Sequence, residues 1–228
     1  MTSEWVEWHR GYEEGRPLTE RLRVVQDRIR EALDDHPSGP IRILSLCAGD
    51  GRDLLGVLEG HPRAGAVRGR LVEQTPELVD AGRERAARDG LTGLEFVQGD
   101  ASTTDACIDA VPADIVLACG IFGNISDEDV RCTIDHLPEL CAEAATVIWT
   151  RGRFAPDLTP TIRQWFAEAG FSERSFVAIP DTAMSVGSHR LAVPPRPVPP
   201  RTRLFTFLPK AERPSQRPEA RGTPPASR

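Results

Sequence analysis

No apolar run in this chain approaches the roughly 18 residues that a membrane span requires, so no part of it is expected to enter a bilayer. Residues 1–8 carry acids and lack both a basic patch and an apolar segment, so no secretory signal is read there and a cytoplasmic location is expected. The five cysteines (Cys47, Cys107, Cys119, Cys132, Cys141) form no CxxC pair and show no metal-type spacing with the histidines. Neither a disulfide framework nor a bound metal is expected from them, and they read as small, reduced, packing residues. Lysine is nearly absent, Lys210 being the only one, and no internal repeat is found. Basic charge does not dominate: the formal net charge is -6, which argues against a protein that grips nucleic acid through its phosphates.

A length of 228 residues with 39% apolar and 27% charged positions suits one soluble unit able to bury a sheet on both faces. Leu22, Val25, Ile29 and Leu33 recur at helical spacing and predict a helix over 17–36 with one buried stripe. Ahead of it Trp8, His9 and Tyr12 cluster, so residues 1–36 read as an N-terminal helical lid. Ser38-Gly39-Pro40 breaks the chain, and Ile41–Leu46 follows as a strand buried on both faces. Strand-like and helix-like segments then alternate: 67–73 with 75–89, 94–97 with 104–110, 114–118 with 127–137, and 146–150 with 159–169. Residues 176–179 and 204–207 read as two last strands, able to pair antiparallel, with a long insertion over 180–203 between them.

This alternation predicts an α/β fold, a doubly wound and mostly parallel seven-stranded sheet with helices on both faces and an antiparallel last strand. The main domain is expected over 37–210. The segment 211–228, rich in Pro, Arg, Ser and Glu and almost free of large apolar residues, is expected to be a disordered tail.

Chemistry concentrates at the strand exits. Cys47-Ala48-Gly49-Asp50-Gly51 follows the first strand and precedes the helical run Leu54, Leu55, Val57, Leu58. Small residues allow a sharp turn and close backbone approach, and a helix start offers unpaired N–H groups, so this is a ligand loop. The second strand ends in Glu73, about twenty residues further, where nucleotide-binding sheets place an acid for the ribose hydroxyls. The third exits into Gly99-Asp100-Ala101, setting a second carboxylate, an acceptor for an adenine amino group, at the same edge.

On these motifs residues 41–207 resemble the class I S-adenosylmethionine-dependent methyltransferases, which share this Rossmann-like fold. The resemblance implies S-adenosyl-L-methionine as cofactor. Cys47, Ala48, Gly49, Asp50 and Gly51 would meet its methionine portion, Glu73 with Gln74 its ribose, and Asp100 with Ala101 its adenine. Cys119 and Gly120 would border the sulfonium. Two positions depart from the family pattern, Ser45 standing where an acid is common and Cys47 where a glycine is, which leaves Asp50 or Asp53 as partners for the cofactor's ammonium group.

A dinucleotide is the rival ligand, making an NAD-dependent oxidoreductase the alternative reading. The third small residue of that fingerprint is missing, however, Leu54 standing in its place, and Asp50 would sit poorly beside a pyrophosphate. A non-catalytic methyltransferase-like binding protein is the other alternative, because methyl transfer requires no nucleophilic residue and needs a base only for a protonated acceptor. For the acceptor side, the segment 121–126 after the fourth strand supplies Phe122 and Asn124, the latter able to orient an acceptor. His189, placed by this reading on the long insertion, is a candidate base. Trp8, His9 and Tyr12 are candidates to line the acceptor pocket, their rings able to face a sulfonium. A small-molecule acceptor is expected, because the chain is acidic and shows no added recognition domain; oxygen, nitrogen, carbon and sulfur all stay open as the accepting atom.

Overall fold

The computed structural model describes residues 16–213; Trp8, His9, Tyr12 and residues 214–228 lie outside the described residues. Helix α1 (Arg16–Asp35) buries Val25, Ile29 and Leu33, and a short helix α2 (Arg52–Leu58) and α3 (Pro76–Arg88) follow strands β1 (Ile41–Leu46) and β2 (Val67–Glu73). Strands β3 (Leu94–Gln98) and β4 (Ala113–Ala118) lead to α4 (Asp127–Leu140), β5 (Cys141–Gly152), α5 (Thr159–Glu168), β6 (Phe171–Ala178) and β7 (Met184–Leu191). The sheet runs β3-β2-β1-β4-β5-β7-β6, and only β7 opposes the others.

Burial follows the period of two along β1. Ile41 and Ile43 join the apolar cluster under α1, α2 and α3, while Leu44 and Leu46 join the cluster on the opposite face with Val116, Trp149 and Phe166. Both faces are therefore covered, as the apolar composition of the strands requires. Strand order reverses between β1 and β4, so the loops leaving those two strands part to opposite sides and open a crevice at the carboxyl edge.

The expected strand over 204–207 is corrected. That segment is a strap across the carboxyl edge: Leu204 N–H donates to the Ser102 carbonyl at 2.7 Å, and Leu208 N–H to that of Asn124 at 2.9 Å. The antiparallel strand is instead β7, inside the presumed insertion. Its Ser185, Gly187 and Ser188 carry little apolar signal, yet it is buried between β5 and β6. Gly187 sits against Trp149 so closely that a Cβ would lie 2.2 Å from the indole, and Ser185 Oγ donates to the Arg151 carbonyl at 2.7 Å. The pattern is polar because the space and the hydrogen bonds demand small polar residues.

Smaller differences have local causes. The expected helix over 104–110 is two single 3₁₀ turns, Thr104–Ala106 and Ile108–Ala110. Helix α4 starts where Ser126 Oγ accepts the Asp129 N–H at 3.0 Å, and it continues through Pro138 to Leu140. At the far end Lys210–Glu212 forms a turn and Arg213 Nε donates to the Leu208 carbonyl at 3.0 Å, so ordered structure extends three residues into the segment expected to be disordered.

Candidate functional site

A crevice opens at the exits of β1, β2, β3 and β4. Of the residues expected at a cofactor, Cys47, Ala48, Glu73, Gln74, Asp100, Ala101, Cys119 and Gly120 line it. Glu73 is only 8% exposed, and its carboxylate is held by two backbone donors: Gly49 N–H to Oε2 at 2.9 Å and Thr75 N–H to Oε1 at 2.8 Å. A buried carboxylate so fixed keeps lone pairs for a further donor without having to reorganise. Asp100 is tied by Ser102 N–H to Oδ1 at 2.9 Å and is otherwise open, its Oδ2 lying 3.9 Å from Arg203 Nη1.

Gly49, Asp50 and Gly51 build the loop from below rather than line the crevice. Gly51 adopts φ 72°, and a Cβ there would come within 2.9 Å of Leu71 Cδ2 and Phe96 Cζ, so the start of α2 packs onto the sheet through bare backbone. Asp50 is turned to Arg52, whose Nε and Nη2 reach its carboxylate at 2.9 and 2.6 Å. Asp53, in contrast, lines the crevice. Burial pushes its pKa up to about 6, with Asp50 adding to the rise and Arg21 opposing it. Of the two acids that the sequence leaves open for an ammonium group, Asp53 lines the crevice and Asp50 is paired with Arg52.

Cys47 and Cys119 face the crevice as neutral thiols. Burial raises both, and the charges of Glu73 and Asp100 add to the rise at Cys47. Neither is a nucleophile at neutral pH.

Four lining residues escaped the reading of the sequence: Arg21, Arg52, Phe207 and Leu22, the last expected in the buried stripe of the helix. Arg21 lies four residues before Val25 on the row that continues through Ile29 and Leu33, and it is 7% exposed. A cation in register with a buried stripe is the signal that marks it. Arg52 follows the glycine turn directly. Phe207 reaches the crevice only because the strap crosses the sheet edge, which no local pattern reports.

A second pocket adjoins the first and shares Arg21 and Gly120 with it. Asn124 lines it; its Nδ2 donates to the Gly120 carbonyl at 2.7 Å, holding the 120–124 turn closed. Phe122 is corrected: its ring is wholly buried, 5.9 Å from that of Trp149, because the turn directs it under the sheet edge. His189 is corrected as well. It stands on β7 rather than on a loop, 1% exposed, stacked 4.3 Å from the Phe166 ring, with Nδ1 accepting from Trp149 Nε1 at 3.1 Å. Burial lowers its pKa to about 4, so it is a neutral core residue that lines neither pocket.

The sheet order and the crevice at its switch point are those of the Rossmann-like α/β class. Residues 13–168 match the family described as "Putative methyltransferase", and the chain belongs to that family. Solved structures share the fold at low identity. Magnesium protoporphyrin IX methyltransferase from Synechocystis PCC 6803, crystallised with bound S-adenosylmethionine, superimposes with a TM-score of 0.61 at 14% identity, covering 83% of this chain and 91% of that one. The N-methyltransferase NodS from Bradyrhizobium japonicum WM9 gives 0.56 at 14% identity, covering 79% and 99%. An RNA methyltransferase from Salinibacter ruber, in complex with S-adenosyl-L-homocysteine, gives 0.50 at 23%, covering 77% and 93%. No curated protein matches the sequence. Among the described residues no helix is long and apolar enough to cross a membrane.

Proposed function

We propose that the crevice binds S-adenosyl-L-methionine and that the chain transfers its methyl group to a small molecule seated in the adjoining pocket. The observation that carries this reading is the Glu73 carboxylate, buried at the end of β2 and pinned by Gly49 and Thr75, a ready acceptor for two ribose hydroxyls. The other donors and acceptors suit the same ligand. Asp53 accepts from its ammonium group and Asp100 from its adenine amino group, while Ala101 and Phe207 supply apolar walls. A phosphate-bearing dinucleotide fits poorly, because Asp53 lines the crevice at the start of α2, where its pyrophosphate would lie.

When bound, this cofactor supplies a methyl carbon activated by its sulfonium. The chain's part is to position the acceptor and exclude water, with Gly120 and the turn held by Asn124 forming the boundary between the two pockets. No nucleophilic side chain is required, in keeping with the neutral thiols of Cys47 and Cys119. The net charge of -6 favours a small acceptor over a nucleic acid.

Calorimetric titration tests the reading. Saturable heat with S-adenosyl-L-homocysteine and none with NAD is expected; heat with NAD alone, or with neither, overturns it.

A further inference from the structure

Among the described residues, the charged side chains lining the second pocket are both cations, Arg21 from α1 and Arg151 from β5. Arg151 is 5% exposed, an unusual place for a guanidinium. Its Nη1 donates to the Phe122 carbonyl and its Nη2 to Asp127 Oδ1 at 3.3 Å, but its Nε is buried without any partner. Buried donors are nearly always satisfied, and of the three arginines that leave a buried Nε unpaired among the described residues, Arg28, Arg151 and Arg153, only Arg151 lines this pocket. Among the described residues no acid lines this wall: Asp127 and, further off, Asp157 act on Arg151 from outside it, and Asp53 interacts with Arg21 from the larger crevice. The rest of the wall includes the apolar side chains of Leu18, Phe154 and Met184.

We propose that the methyl acceptor is a small carboxylic acid, its carboxylate received by Arg151 Nε and Arg21 and its apolar body lying against Leu18, Phe154 and Met184. This rests on the reading of the larger crevice as the cofactor site. A guanidinium matches the planar carboxylate, and the low-polarity surroundings strengthen the pairing relative to water. Asp127 offsets part of the Arg151 charge, which suits a monoanion better than a phosphate dianion. The carboxylate fixes the orientation of the acceptor and leaves the opposite end of the molecule to meet the methyl group.

The test uses the full chain saturated with S-adenosyl-L-homocysteine, so the saturation step examines the cofactor site separately from the acceptor. Benzoate, phenylacetate, 3-phenylpropionate and hexanoate are each titrated against the matching carboxamide. At least one acid is expected to bind about tenfold more tightly than its amide, the weight of one charge-assisted hydrogen bond. Arg151→Gln is expected to erase that preference. Because Arg151 also holds the Phe122 carbonyl, Arg21→Gln serves as companion variant and is expected to reduce the preference too, and the acid-to-amide ratio of the unaltered chain is informative without either. Amides binding as well as acids throughout, phenyl phosphate binding more tightly than every acid, or a preference that survives both substitutions overturns the proposal.

Discussion

Gly49 donates its backbone N–H to Glu73 Oε2 at 2.9 Å, joining the loop after β1 to the end of β2 across 24 positions of sequence. Glu73 thus anchors the loop, and in the proposed function it is also the acceptor for the ribose hydroxyls. Glu73→Gln removes the charge and turns an amide donor toward one of two backbone N–H groups. It is expected to weaken S-adenosyl-L-homocysteine binding about 10- to 100-fold by calorimetry, equivalent to ~1.5–3 kcal/mol for a charged hydrogen bond. An unchanged dissociation constant would refute the assignment.

Asp53 is expected to make cofactor binding depend on pH. Its carboxyl, raised from an ordinary 3.8 to about 6, is protonated below that pH and cannot pair with an ammonium group. Affinity for S-adenosyl-L-homocysteine is expected to rise between pH 5 and about 7 with release of a proton, measured by calorimetry in buffers of different ionisation enthalpy. Asp53→Asn should flatten the dependence. For the ligand-free chain the sign is opposite: the unfolded state ionises first, so this group lowers stability as pH climbs from about 4 to about 6.

His189 works in the other direction. Lowered from 6.5 to about 4, it stays neutral in the fold while the unfolded chain takes up a proton. Its contribution is fully present above pH 6.5 and is lost as pH falls through about 4. Urea unfolding at pH 7.5 and pH 5 should show a smaller acid-induced loss for His189→Gln than for the unaltered chain. The pH profile of methyl transfer should not move; a shifted profile would restore His189 as a base.

Gly51 and Gly60 form a matched pair for strain. Both have positive φ, 72° and 77°, but a Cβ on Gly60 meets nothing within 4 Å whereas one on Gly51 meets Leu71 and Phe96 at 2.9 Å. Gly60→Ala should cost the backbone penalty alone, ~1–2 kcal/mol. Gly51→Ala adds overpacking of ~1–3 kcal/mol and should lower the denaturation midpoint distinctly further. Equal losses would show that the packing of α2 on β2 and β3 yields more readily than the geometry implies.

The contrast between β1 and β7 explains what a sequence of this kind discloses. Ile41, Ile43, Leu44 and Leu46 are buried by apolar side chains, so composition announces the strand, and the acids at the ends of β2 and β3 follow at the spacing the fold imposes. Strand β7 is buried through Ser185, Gly187 and Ser188, whose burial depends on partners such as Trp149 and the Arg151 carbonyl that are distant in sequence. Misplacing that strand turned His189 into a loop residue and hid the strap that brings Phe207 to the crevice. The larger crevice was legible because backbone loops and strand ends form it. Of the second pocket the sequence disclosed Asn124 and its turn but not Arg21, Arg151 and Phe154, which converge from α1, β5 and the loop beyond it.

Backbone amide exchange with and without S-adenosyl-L-homocysteine, followed by mass spectrometry, tests the central claim most directly. Protection is predicted in peptides covering 47–53, 73–75, 99–102 and 119–124, with the edge strand β6 unchanged. Protection confined to other regions, or none at saturating ligand, would contradict the placement of the cofactor in this crevice.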